Sequence, residues 1–127
     1  MNKEFIAYDG DQFTIEWYFN NKGKSIPLEY FEKLSKEDKK KIIHLFFLLG
    51  DDGKILNKEK FRHEGDKIYA IKSFTNRLLC FFFNGSKIII TSAYEKKSQK
   101  MPIKEKIKAV KIRQDYEKRC KEGNYYE

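Results

Sequence analysis

The stretch Arg77-Leu78-Leu79-Cys80-Phe81-Phe82-Phe83-Asn84-Gly85-Ser86-Lys87-Ile88-Ile89-Ile90-Thr91 decides the fold. Six apolar residues follow Arg77 without a break, the pattern of a strand buried on both faces. Asn84-Gly85 is a two-residue hairpin signal, because both residue types tolerate the left-handed backbone that a tight turn between twisted strands requires. Lys87–Thr91 returns as the next strand. Upstream, Lys67–Ser73 reads as a strand, with Thr75-Asn76 turning the chain into Arg77. The three form an antiparallel meander.

Toward the N-terminus, residues 13–19 (Phe-Thr-Ile-Glu-Trp-Tyr-Phe) alternate as a strand that Asn20-Asn21-Lys22-Gly23 breaks. Pro27 is placed to open a helix, with Leu28 and Phe31 on one face. Ser35 is an N-cap with Asp38 three residues on. The helix it starts carries Ile42, Leu45, Phe46 and Leu49 as one stripe, and Gly50 is expected to end it. Two short helices so joined make a helical hairpin. Asp51–Gly65 is polar and basic and reads as a long loop. A last helix runs from near Pro102 to about Lys121. The expected fold is α+β: an N-terminal strand and helical hairpin, a three-stranded antiparallel meander and a C-terminal helix. Residues 1–127 read as a single domain, with 1–11 as an N-terminal extension.

Charge is distributed unevenly. Residues 96–121 hold nine Lys and two Arg against three acids, a net of +8, which equals the net charge of the whole chain. A one-sided basic field on a small protein points to a polyanion, RNA or DNA above all, against the plainer alternative of a solvated helix face. On a helical wheel the last helix shows two apolar stripes. Ile103, Ile107 and Val110 form one; Ala109, Ile112, Tyr116 and Cys120 form the other, roughly opposite. Lys104, Lys108, Lys111 and Lys118 make a third face. One stripe suffices to dock the helix on a sheet, so the second needs a cover, either the helical hairpin or a partner protein.

Eleven Phe and eight Tyr support a packed core. No apolar run reaches the roughly 18–20 residues needed to span a membrane, and the N-terminal Met-Asn-Lys-Glu-Phe lacks signal-peptide character. Cys80 and Cys120 form no CxxC pair and read as free thiols of a cytoplasmic protein. His44 and His63 complete no ligand spacing, so neither a metal nor another cofactor is expected.

One constellation carries chemistry. Arg77 opens the buried strand beside a turn, and Lys72 closes the preceding one, so the two cations face each other across the hairpin. Like charges side by side are unfavourable without an anion between them, which hints at a phosphate. Ser92-Ala93-Tyr94-Glu95-Lys96-Lys97 leaves the third strand and brings Tyr94, Lys96 and Lys97 toward the same edge. Lys100 lies within reach. Cations around a phosphate suit phosphodiester transfer by charge stabilisation, with RNA supplying its own 2′-hydroxyl nucleophile and Tyr or Lys moving protons. Cleavage and simple binding both fit these residues.

Three runs resemble a known family: Ile68-Tyr69-Ala70-Ile71-Lys72, Arg77-Leu78-Leu79-Cys80-Phe81-Phe82-Phe83, and Lys96-Lys97-Ser98-Gln99-Lys100-Met101-Pro102. They are similar to the HigB branch of the RelE/ParE superfamily of type II toxins, over roughly residues 12–120. The resemblance implies a toxin that cuts mRNA on the ribosome without a metal and is neutralised by a small, helix-turn-helix antitoxin. It implies catalytic roles for Arg77 as phosphate clamp and for Lys72, Tyr94 and Lys96, and RNA binding by Lys97, Lys100, Lys104, Lys108 and Lys111. Lys72 stands where the branch usually carries Arg, and Ser92-Ala93-Tyr94 where many relatives carry His-Gly-Phe. The alternative on the same fold is a non-cleaving inhibitor that binds gyrase or ribosomal RNA. The Ala109–Tyr116–Cys120 stripe is the expected antitoxin contact.

Overall fold

A computed structural model of the chain describes residues 3–127. Met1 and Asn2, which open the segment read as lacking signal-peptide character, lie outside the described residues. The elements are β1 (Ile6–Asp9), β2 (Thr14–Trp17), α1 (Ile26–Glu32), α2 (Lys36–Phe47), β3 (Phe61–His63), β4 (Tyr69–Ser73), β5 (Asn76–Phe83), β6 (Lys87–Glu95) and α3 (Ile103–Lys121). The class is α+β, as expected, and β4-β5-β6 is the antiparallel meander.

The sheet is larger than the sequence suggested: six strands in the order β1-β2-β6-β5-β4-β3. β2 runs parallel to β6 and pairs antiparallel with β1, which lies in the segment read as an extension. β3 pairs with β4 and occupies part of the stretch read as a long loop. It is three residues long, and Arg62 and His63 are exposed, so no alternation marks it. It forms because it satisfies the open edge of β4. The first turn of the meander centres on Phe74-Thr75, one residue earlier than expected, with Ser73 paired to Asn76. Asn84 and Gly85 take φ of 54° and 68°, as their turn requires.

Both N-caps form. Ser25 Oγ accepts from the Leu28 N–H at 3.3 Å, and Ser35 Oγ from the Asp38 N–H at 3.1 Å. Gly50 does not end α2. The chain continues through a π-helical turn, Leu48–Asp52, and stops at Gly53 with φ 78°. Gly50 serves close approach instead: its carbonyl accepts from the N–H groups of Gln12 (2.7 Å) and Phe13 (2.9 Å), docking the helix end on the β1–β2 connection.

Two cores flank the sheet. Ile42, Leu45, Phe46 and Leu49 of the helical hairpin pack with Trp17, Ile71, Leu78 and Cys80 on one face. On the other, Ala109 and Tyr116 of α3 pack with Ile68, Leu79, Phe81 and Ile89. β5 therefore is buried on both sides, as its composition demands. The two stripes of α3 exchange the roles open to them. Ala109 and Tyr116 are fully buried, while Ile103 and Ile107 are 78% and 50% exposed. The centre of the stripe expected to meet an antitoxin, Ala109 and Tyr116, is thus covered by the sheet of its own chain, while Ile112 and Cys120 are half-buried. Tyr116 explains this: its ring meets Phe81, Phe83 and Tyr125 edge-on at 5.6, 4.9 and 4.6 Å. Burying that much aromatic area outweighs burying two isoleucines. Tyr125 completes the lock, its hydroxyl accepting from the Phe19 N–H at 2.9 Å. Among the described residues no helix is long and apolar enough to cross a membrane.

Candidate functional site

Lys72, Arg77 and Tyr94 stand in one row. Lys72 pairs with Arg77 across β4–β5, and Arg77 pairs with Tyr94 across β5–β6. Directly opposed residues share a face, so three side chains line up over about 10 Å, two strand spacings. They lie on the α3 face, where the alternation of β5 puts Leu79 and Phe81.

Tyr94 reaches that face because of a bulge. Leu79 pairs with Ser92 but Cys80 with Ile90, leaving Thr91 as an extra residue on β6. An inserted residue reverses the side on which every later side chain falls. Without it Tyr94 would face the helical hairpin. The Thr91 hydroxyl holds the bulge by donating to the Leu79 carbonyl at 3.1 Å. β6 consequently runs on to Glu95, and Ser92–Glu95 belong to the strand, where the sequence reading has them leaving it.

Arg77 is tethered by one terminal nitrogen, which donates to the carbonyls of Phe74 (2.7 Å) and Asn76 (3.0 Å). Asn76 is anchored in turn by the Tyr30 hydroxyl at 2.6 Å. The tether leaves the rest of the guanidinium fork for a ligand. Lys72 is held below the usual lysine range, first by burial and then by the Arg77 charge, with Arg62 and Lys96 adding to it and Glu64 opposing. Burial raises the Tyr94 phenol, Arg77 pulls it back, and the carboxylates of Glu64 and Glu105 push it up again. Tyr94 therefore keeps its proton at neutral pH. Lys96 follows directly: its N–H donates to the Thr75 carbonyl at 2.7 Å, extending the β5–β6 ladder past the strand end.

Two features escaped the sequence reading. The first is a pair of carboxylates, Glu64, whose charge acts on Lys72 and Tyr94, and Glu105, whose charge acts on Tyr94; they follow β3 and open α3, and neither placement has a local signal. The second is Phe74, which is 61% exposed at the hairpin tip with φ 55°. A bulky residue in the left-handed region is strained by about 1–3 kcal/mol. Lys41 Nζ sits 3.7 Å from its ring centroid.

Of the remaining expected residues, Lys97 and Lys100 are exposed on the segment between β6 and α3. Lys104, Lys108 and Lys111 are exposed too, on α3 rather than on the sheet that carries the row. They edge a groove between α3 and the start of α1, with a volume near 540 Å³. Among the described residues no group of three or more His, Cys, Asp or Glu side chains is placed to hold a metal ion.

Comparison with known proteins yields one family. The model described as "Phage derived protein Gp49-like (DUF891)" matches residues 29–114. The match takes in the end of α1, all of α2, the whole meander with the cation row, and most of α3. A search of curated proteins finds no match to the chain.

Proposed function

Because this chain belongs to the Gp49-like family of phage-derived proteins, a family associated with the toxins of toxin–antitoxin systems, we propose that it is a toxin that cleaves mRNA on the ribosome and is silenced by an antitoxin. The single observation that carries this reading is the Lys72–Arg77–Tyr94 row. Two cations share one sheet face without an acid between them, beside a phenol that holds its proton.

The chemistry follows from those groups. The 2′-hydroxyl oxygen of a nucleotide attacks the adjacent phosphorus, and the bond from phosphorus to the 5′-oxygen breaks. Arg77 and Lys72 stabilise the charge that builds on the phosphoryl oxygens. Tyr94, kept protonated by burial, donates its proton to the departing 5′-oxygen. Glu64, close enough to influence both Lys72 and Tyr94, takes the proton from the 2′-hydroxyl. Lys96, Lys97 and Lys100 guide the flanking phosphates, and the exposed face of Phe74 offers a surface on which a base can stack.

Programmed ribosomes mixed with the purified protein and scored for new mRNA 5′ ends test this reading. Wild-type protein is expected to cut, and Arg77→Ala to lose cutting by on the order of 10²–10³-fold with its thermal unfolding little changed. Arg77→Ala cutting at the wild-type rate would remove that residue from the site. Inhibited gyrase supercoiling with no new 5′ ends would favour the non-cleaving alternative.

A further inference from the structure

The groove beside α3 combines an apolar floor with a cationic rim. Its floor includes Ile26, Pro27, Ile107 and Ile112, and Lys24, Lys104, Lys108 and Lys111 stand around it. No Asp or Glu lines it. The polar groups at its base are already engaged. The Tyr18 hydroxyl donates to Asp115 at 2.5 Å, and Thr91 donates to Leu79. Ile26 is 43% exposed and Ile107 50%, so the floor is open. Lys104, Lys108 and Lys111 make no ion pair among the described residues, and Lys24 meets Glu29 only at 3.9 Å.

From this we propose that the groove is the docking site for an acidic amphipathic helix of a partner protein. The charge pattern selects the chemistry. The three α3 lysines are spaced i, i+4, i+7, a line of cations along one helix face about 10 Å long. A partner helix laid along α3 with Glu or Asp at the same spacing meets all three, while its apolar stripe covers Ile107 and Ile26. Nucleic acid fits less well. Phosphates have no use for four aliphatic side chains, bases stack on aromatic rings, and the one ring in the groove, that of Tyr18, is buried and already stacked on Tyr125. The groove thus takes Lys104, Lys108 and Lys111 away from RNA. It also replaces the stripe centred on the buried Ala109 and Tyr116 as the surface on α3 that a second protein covers. The assignment stands independently of mRNA cleavage.

The test uses the full chain with isotope-labelled isoleucine methyls. The probe is a synthetic helix of about 15 residues carrying Leu on one face and Glu at i, i+4 and i+7, compared with its scrambled sequence and with a single-stranded RNA oligonucleotide. The expected result is a shift of the Ile26, Ile107 and Ile112 resonances by the amphipathic peptide. The scramble should bind at least tenfold more weakly, as should the amphipathic peptide to Ile107→Ser and to the K104E/K108E/K111E protein. Equal binding of peptide and scramble would overturn the proposal, leaving charge alone. So would RNA moving the same methyl resonances with the triple variant unable to cleave, which would return the lysines to RNA. If the wild-type protein cleaves nothing, the toxin reading falls while the peptide result still decides the groove.

Discussion

Arg77 spends one nitrogen on its own hairpin and keeps the others free, which is how a single side chain can be both rigid and available. The pKa of its neighbour Lys72 is lowered first by burial and then by the Arg77 charge. On the proposed reading an incoming phosphate relieves that repulsion, so the two cations bind an anion better together than either would alone, and the position of Lys72 needs charge rather than the ammonium itself. Lys72→Arg is therefore expected to keep or raise cleavage by supplying a planar fork, and Lys72→Ala to lower it at least tenfold, both read as ribosomal cleavage rates. Phe74 tells a different story at the same turn. Its φ of 55° is costly for a bulky residue. Phe74→Gly should stabilise the protein by about 0.5–1 kcal/mol, relieved strain outweighing the lost Lys41 contact and the added backbone entropy. Urea midpoints measure the gain. The same variant should cleave more slowly if the ring stacks on a base, so stability and activity are expected to move in opposite directions.

At the scale of elements, the join between the β1–β2 connection and the π-helical turn rests on two glycines in contact. A Cβ on Gly10 would lie 2.3 Å from the backbone carbon of Gly50, whereas one on Gly50 would meet the Tyr8 ring at 2.6 Å. Backbone cannot step aside, but a half-buried ring can. Gly10→Ala should thus cost about 2–3 kcal/mol or more, and Gly50→Ala closer to 1 kcal/mol, in chemical denaturation. The same join is held by the Tyr8 hydroxyl donating to Asp51 at 2.6 Å and by the Asp11 N–H donating to Asp51 at 3.1 Å. α3 illustrates how an element with two apolar faces is assigned. Its wheel shows both stripes, yet the choice between them depends on Phe81, Phe83 and Tyr125, which come from elsewhere in the chain.

For the molecule as a whole, buried tyrosines tie α3 and the C-terminal residues to the sheet. Burial, and then the hydrogen bond to Asp115, push Tyr18 up to about 12 from its ordinary 10.0. Tyr116, Tyr125 and Tyr126 are also raised, burial being the leading cause in each. In the unfolded chain these phenols lose their protons near 10 while the folded protein keeps them. Their stabilisation is complete below pH 10 and is lost as pH climbs from 10 toward 12. Unfolding by circular dichroism and tyrosinate absorbance should therefore appear together in that window; tyrosinate forming well before unfolding would contradict it. Local composition accounts for much of this architecture. Apolar β5, the Asn84-Gly85 turn, the Ser35 cap and the extent of α3 are readable because each depends on neighbours within a few residues. So is the pairing of Lys72 with Arg77, which a short hairpin imposes. Long-range contact governs the rest. Edge strands β1 and β3 form to satisfy the backbone of partners distant in the chain, and no side-chain pattern announces them. Thr91 looks like any strand residue, yet as a bulge it turns Tyr94 to the Arg77 face, because strand parity is set by hydrogen-bond register and not by composition. The buried stripe of α3 and the open, lysine-rimmed groove beside it follow from the same cause: which aromatic rings meet across the sheet is a property of packing in three dimensions.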